Sequence, residues 1–374
     1  MSLDPISLTQ KLLSFNTINP PGDERECATY LGHLLEAAGF EMRFYEFAEK
    51  RTTLIASLPG RGDKLPICFT GHLDTVPLGT NRWSRDPFAG ERAGDKLYGR
   101  GSSDMKSGVA AIVLMALRLG KVRERKAGII LIFTAGEETT CEGAAHVAGV
   151  SGALGQAGAL VAGEPTANAP WIAHKGCVRF VLKTRGVAAH ASMPEKGVNA
   201  IYKAAEVIKK LENFDFHTPA HPLLGRPTLT VSTISGGTAI NVVPEEALIG
   251  VDIRTLPGQE EEDVGRKLRA LLGTNVAIER LNGAPSIATD RGHPWLEEVF
   301  EVMEPLLGER PAPGAAPYFT DASVLTPALG HPPTLILGPG EPEMAHKTDE
   351  FCYISKIAVA TEAYCAIATR WLES

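Results

Sequence analysis

Seven side chains that could bind metal or move protons stand far apart in this 374-residue chain, each beside a short apolar run or in a Gly/Ser loop. His72 and Asp74 follow Leu65–Thr70 (LPICFT), and Glu137 and Glu138 follow Gly128–Thr134 (GIILIFT). Glu164 follows Ala159–Ala162 (ALVA), and His346 follows Thr334–Leu337 (TLIL) by a short loop. Asp104 sits in a Gly/Ser loop ahead of an apolar helix. Short apolar runs closed by Gly and turn residues read as buried parallel strands. Ligands of open α/β sheets bind at the carboxyl ends of the strands. The pattern therefore brings His, Asp and Glu together in one crevice, as a metal site requires.

A pair of zinc ions held close together needs a bridging carboxylate, with one His and one carboxylate as terminal ligands on each ion. The chain offers that set: His72 and Glu164 for one metal, Glu138 and His346 for the other, Asp104 between them. Asp74, on the same side of an extended segment as His72, can accept the other ring N–H of that histidine and fix its tautomer. Glu137 is then free to act as general base on water. Each piece also has a plainer reading. A His-x-Asp triplet arises by chance, and Glu-Glu pairs such as Glu245-Glu246 are commonly surface charge. Asp104 could be a helix N-cap, and His346 a loop residue. The joint arrangement carries the argument.

Composition bounds the rest. Apolar residues make up 44% of the chain, enough for a globular core, and the formal charge of −7 argues against nucleic-acid binding. The start, MSLDPISLTQ, has neither a basic nor an apolar region of the kind an export signal needs. The longest nearly apolar stretch, Val109–Leu117, falls short of the ~20 residues that span a bilayer. The six cysteines show no paired spacing and are expected to be reduced, which fits a cytoplasmic protein.

Apolar periodicity and breakers predict helices over Asp4–Phe15 and Glu24–Ala38, strands over Glu41–Phe47 and Thr53–Leu58, and a loop over Gly79–Gly108. The helix Val109–Leu119 is apolar nearly all round, as a helix buried between layers would be. Strand and helix then alternate as in an α/β fold. From Cys177 to Gly283 the order is strand Val178–Thr184, helix Val198–Leu211, strands Thr228–Ile234 and Ala247–Arg254, helix Glu260–Leu272 and strand Asn275–Leu281. That βαββαβ order is ferredoxin-like. Asn282-Gly283-Ala284-Pro285 reads as the return linker. Helix Pro294–Leu307, a strand near Thr334–Leu337 and helix Ser355–Trp371 complete the chain. The expected division is a discontinuous first domain, residues 1–176 plus 285–374, and an inserted α+β domain, residues 177–284.

With these residues in place the chain resembles the acetylornithine deacetylase, succinyl-diaminopimelate desuccinylase, aminoacylase and glutamate carboxypeptidase family of two-zinc amidohydrolases. The likeness rests on residues 70–77 (TGHLDTVP), 98–108 (YGRGSSDMKSG), 134–138 (TAGEE), 163–166 (GEPT) and Ala345-His346, in that order and spacing. The resemblance implies a zinc-peptidase-like α/β catalytic domain, an inserted lid that also dimerises, and two divalent metals, zinc first with cobalt or manganese as alternatives. It implies Glu137, Asp74 and His190 as catalytic residues, His190 reaching into the partner subunit's site to polarise the scissile carbonyl. It suggests Asn241, Arg254, Lys175 and Thr320 as substrate contacts. Arg suits a carboxylate because its planar fork binds bidentately, while the plainer role for Arg254 is an ion pair with Asp252 or Glu246. The lid's edge strand and its helix Val198–Leu211 would form the dimer contact. The resemblance also suggests a cis peptide between Asp104 and Met105.

Glu164 is the form of that ligand found in the deacetylase and desuccinylase branch, so the expected substrate is a small N-acyl amino acid. The loop Tyr318-Phe319-Thr320-Asp321-Ala322-Ser323 resembles the Thr-acid-Ala loop of deacetylases rather than the Ser/Gly-rich loop of desuccinylases. A succinyl-diaminopimelate desuccinylase, a peptidase acting on dipeptides or C-terminal glutamate, and a non-catalytic binding protein are the alternatives.

Overall fold

The structure, a computed structural model, describes residues 3–122 and 124–373. The first two residues of the N-terminal stretch read above lie outside the described residues. The chain divides into two compact units, one of Met1–Ala173, Ala288–Ala315 and Thr320–Ser374, the other of His174–Ile287 with Ala316–Phe319.

The larger unit is built on a sheet whose four central strands, Ile129–Thr134, Ile67–His72, Ala159–Ala162 and Thr334–Ile336, lie side by side and parallel in that order. They are buried almost throughout instead of alternating, because helices cover both faces. Their common direction puts His72 opposite Thr134 and Thr70 opposite Ala162. The residues that follow each strand therefore emerge at one edge. Strands Glu41–Ala48 and Arg51–Leu58 extend the sheet antiparallel on one side.

Helix Ser107–Leu119 is buried along nearly its whole surface, as its composition implies, and packs with Pro5–Leu13, Arg25–Glu36 and Ile354–Glu373. Asp4 starts the first of these by accepting the Ile6 and Ser7 N–H groups. The start of Ser107–Leu119 presses against the end of a central strand. A Cβ on Gly108 would sit 2.2 Å from the Gly163 carbonyl oxygen, so only glycine permits this approach. That contact brings the Asp104 loop beside Glu164.

Two elements differ from the sequence reading. The stretch Gly79–Gly108, whose pattern predicts a loop, contains strands Glu91–Ala93 and Lys96–Tyr98, which form a three-stranded antiparallel sheet with Phe351–Tyr353. Strands of three residues are too short to show a period, and this partner lies some 250 positions away. Asn282–Ala284 is also no linker; it pairs with Cys177–Arg179 as the end of strand Val276–Ala284.

The smaller unit is an antiparallel sheet in the order Thr228–Gly236, Glu246–Thr255, Gly176–Arg185, Val276–Ala284. Helices Ala200–Glu212 and Glu261–Leu272 turn Ala204, Val207, Leu211, Val264 and Leu268 onto it, the ferredoxin-like arrangement. Ala316–Phe319 joins this unit from far along the chain: the Lys175 N–H donates to the Ala316 carbonyl at 3.0 Å. No described helix is long and apolar enough to cross a membrane. All six cysteines are free among the described residues.

His174, at the end of strand Trp171–His174, is fully buried. Its Nδ1 lies 2.9 Å from the Lys175 carbonyl, and its Nε2 has no partner among the described residues. Burial pushes the ring down to about 4 from an ordinary 6.5. Between those values the unfolded chain binds a proton that the folded chain refuses, so stability is lost as pH falls from 6.5 toward 4. A difference of that size amounts to on the order of 3 kcal/mol. Denaturant titrations at pH 7 and pH 4.5 are expected to show a smaller acid loss for His174→Gln than for the parent chain. Equal losses would remove His174 from the acid response.

Candidate metal centre

The edge where the parallel strands end gathers the predicted ligands. His72 closes strand Ile67–His72 and is buried, with Nε2 3.0 Å from Asp104 Oδ1 and 3.8 Å from Glu164 Oε2. His346 lies on a loop with Nε2 2.9 Å from Glu138 Oε2 and 3.4 Å from Asp104 Oδ2. Two triads result, His72 with Asp104 and Glu164, and Asp104 with Glu138 and His346; within each, the ligand atoms lie within 4.8 Å of one another. Asp104 belongs to both, one oxygen toward each histidine.

The backbone at Asp104 is not helical. Asp104 has φ −121° and ψ 93°, Met105 has φ −137°, and the peptide between them is cis, as the resemblance suggests. Helix Ser107–Leu119 starts beyond it from Lys106, so Asp104 is not the cap of that helix.

Asp74 departs from its expected role. The Nδ1 of His72 lies 3.0 Å from the main-chain carbonyl of Asp74 and 3.6 Å from its carboxylate. The carboxylate instead accepts the Glu137 N–H at 3.1 Å on Oδ1, and the Glu138 N–H at 3.2 Å and Asn19 Nδ2 at 2.9 Å on Oδ2. These amides open the one-turn helix Glu137–Thr140, where a carboxylate is favoured by the exposed N–H groups. One residue thus holds His72 through its main chain and the Glu137-Glu138 pair through its side chain. Asn19, from the Asn-Pro-Pro-Gly turn, was legible only as part of a turn.

The electrostatics are those of a crowded anionic crevice. Burial, then the charges of Glu164 and Asp321, push Glu137 well above the usual carboxylate range. Glu164 rises through burial and the charge of Asp104, and Glu138 through the same two causes. Asp104 is half-buried, yet the hydrogen bonds of His346 and His72 hold it low. Hydrogen bonds to Asp104 and Glu138 raise His346 to about 10. Glu138 Oε1 is buried with no hydrogen-bond partner among the described residues. Four carboxylates against two imidazoles, one carboxylate oxygen unanswered, fit divalent cations with N and O ligands.

Asp321 was missed by sequence reasoning. It is buried, accepts the Thr134 hydroxyl, and is pushed up to about 6 by burial. Thr320, expected as a substrate contact, is fully buried, and its hydroxyl accepts the Ala322 N–H at 3.1 Å. It shapes the start of helix Ala322–Ala328.

The remaining predicted residues lie in the smaller unit. His190 and Asn241 are exposed on paired segments, the Ala191 N–H donating to the Asn241 carbonyl at 3.0 Å. His190 Nδ1 is 2.7 Å from the Ser192 hydroxyl. The Arg254 guanidinium pairs with Asp252 at 2.8 Å, the plainer of its two readings, and shares that carboxylate with Arg179 at 2.9 Å. Lys175 Nζ donates to the Arg226 carbonyl at 2.6 Å.

The model of peptidase family M20/M25/M40 matches residues 68–370. The chain belongs to that family. Among M20 relatives, a probable succinyl-diaminopimelate desuccinylase of Staphylococcus epidermidis is 29% identical, over 97% of each chain. An acetylornithine deacetylase of Proteus mirabilis is 34% identical, over 86% of this chain and 83% of its own. An M20 metallo-carboxypeptidase of Sulfolobus solfataricus superposes with a TM-score of 0.79 over 99% of each chain at 17% identity. Membership makes this chain a metallopeptidase-family hydrolase acting on amides.

Replacing Asp74 by Ala would free both the Glu137-Glu138 turn and the loop after His72. Calorimetric titration of zinc into the metal-free protein is expected to show affinity lowered by about 10–100-fold. Unchanged affinity in a folded Asp74→Ala protein would show that the clamp is dispensable.

Proposed function

We propose that this protein hydrolyses the amide bond of an N-acyl-L-amino acid, as acetylornithine deacetylases do, at a pair of divalent metals with zinc first and cobalt or manganese as alternatives. The observation that carries the reading is the position of Asp104, one oxygen toward each of two triads. On this reading His72 and Glu164 would hold one ion and Glu138 and His346 the other, with Asp104 available to both. Bound metals would lower the pKa of water toward about 7 and polarise the amide carbonyl.

Glu137 is the candidate general base. It neighbours a ligand in sequence, is buried, and sits on a turn fixed by Asp74. It takes a proton from the attacking water and returns it to the leaving nitrogen. His190, exposed beside Asn241, is proposed to reach the crevice of a second copy and stabilise the oxyanion. The lid dimer this needs is part of the proposal. Exposed Ile201, Tyr202, Ile234 and Ile240 on the smaller unit give it an apolar surface. Arg254, with Lys175 and Asn241, is the proposed partner of the substrate carboxylate. The six free thiols suit a cytoplasmic setting.

The named relatives favour small acylated amino acids, and the desuccinylase match over nearly the whole chain keeps N-succinyl substrates in the panel. Release of free amine from N-acetyl, N-formyl and N-succinyl amino acids and plain dipeptides decides the class. Turnover of acylated amino acids that a chelator abolishes and zinc restores is the expected result, with Glu137→Gln losing at least about 100-fold in kcat while still binding metal. Turnover of dipeptides alone would move the protein to the peptidase branch, and near-normal turnover by Glu137→Gln would end its assignment as base.

A further inference from the structure

The bridging position of Asp104 depends on a loop with little regular structure, so something must hold that loop. Its anchor comes from near the other end of the chain. Glu350 is fully buried, and all four of its close donors belong to the Arg100–Asp104 segment. Oε2 accepts Arg100 Nη1 at 2.6 Å and the Gly101 N–H at 2.9 Å. Oε1 accepts the Ser103 N–H at 2.8 Å and the Asp104 N–H at 3.0 Å. A carboxylate has about four lone-pair sites, and here each has a donor. Neither oxygen of Glu350 is left to act as a ligand.

The contact runs both ways. The Gly99 N–H donates to the Glu350 main-chain carbonyl at 2.9 Å. The Ser103 hydroxyl donates to the Phe351 carbonyl at 2.7 Å and accepts the Glu341 N–H at 2.9 Å. The segment carrying His346, from Glu341 to Phe351, is thereby stitched to the segment carrying Asp104. Gly101, at φ +86°, gives the turn that aims the amides inward.

We infer that Glu350 is a positioning residue that fixes Asp104 and His346 to each other, and so sets the second triad as one piece. This rests on the two-metal reading proposed above. Two of the three ligands of the Asp104, Glu138 and His346 triad depend on this anchor. In the His72, Asp104 and Glu164 triad only one ligand does, since His72 and Glu164 stand at the ends of parallel strands. The two metals are therefore unequally sensitive to its loss.

Calorimetric titration of zinc into metal-free protein tests this, with circular dichroism and thermal melting as folding controls. The parent chain is expected to bind two equivalents. Glu350→Gln, which keeps one acceptor oxygen but turns an amide NH2 toward N–H donors, is expected to weaken one equivalent by about 10–100-fold and the other much less. Ser103→Ala removes only the hydroxyl stitch and is expected to weaken the same equivalent by less; it decides the matter if Glu350→Gln fails to fold. A folded variant that binds both equivalents as the parent does, or loses both alike with only a lower melting temperature, overturns the inference. Fewer than two equivalents in the parent chain overturns the two-metal reading itself, and the inference with it.

Discussion

Asp104, Glu137, Glu138 and Glu164 share one poorly hydrated crevice, and carboxylates so placed repel one another and resist losing water. Around this constraint the larger unit is arranged. Rigid carriers are the response: each acid is mounted on a strand end, a one-turn helix or a loop held through its amides by Glu350. Two imidazoles and a set of aimed N–H groups supply the local positive charge. The remainder of the imbalance is what cations would neutralise.

Two further acids do the holding. Asp74 gathers the turn with Glu137 and Glu138, and Glu350 gathers the loop with Asp104. Both work by accepting main-chain N–H groups, which suits a site where side chains must stay free for ligand duty. The cost of burying these anions is offset by bonds to groups that otherwise would be left unsatisfied.

Much of this was legible in the sequence, for identifiable reasons. Apolar runs such as Ile129–Thr134 are long and bounded, so strand, direction and the residues at the strand end could be read together. The two triads follow from that reading and from the motif spacing. The anchors could not be read so, because Glu350 and Asp104 are far apart in the chain and no local pattern links them. Thr320 and Asp321 were obscured similarly: which of two neighbours faces the crevice depends on how helix Ala322–Ala328 begins. Asp74 was assigned to the site but to the wrong acceptor atom, since a main-chain carbonyl competes with any carboxylate on an extended segment.

Strand Thr334–Ile336 does not add to an edge of the sheet. It lies between Ala159–Ala162 and Trp171–His174, both made much earlier in the chain. During synthesis from the N-terminus the earlier strands must wait with a gap between them, or pair and part again. His346, Glu350 and Phe351 are made only after the strand that fills that gap. A crevice that draws on both segments therefore takes shape only once residues 334–351 are made, long after His72, Asp104, Glu138 and Glu164, and until then a nascent chain carries those acids without the restraint of Glu350.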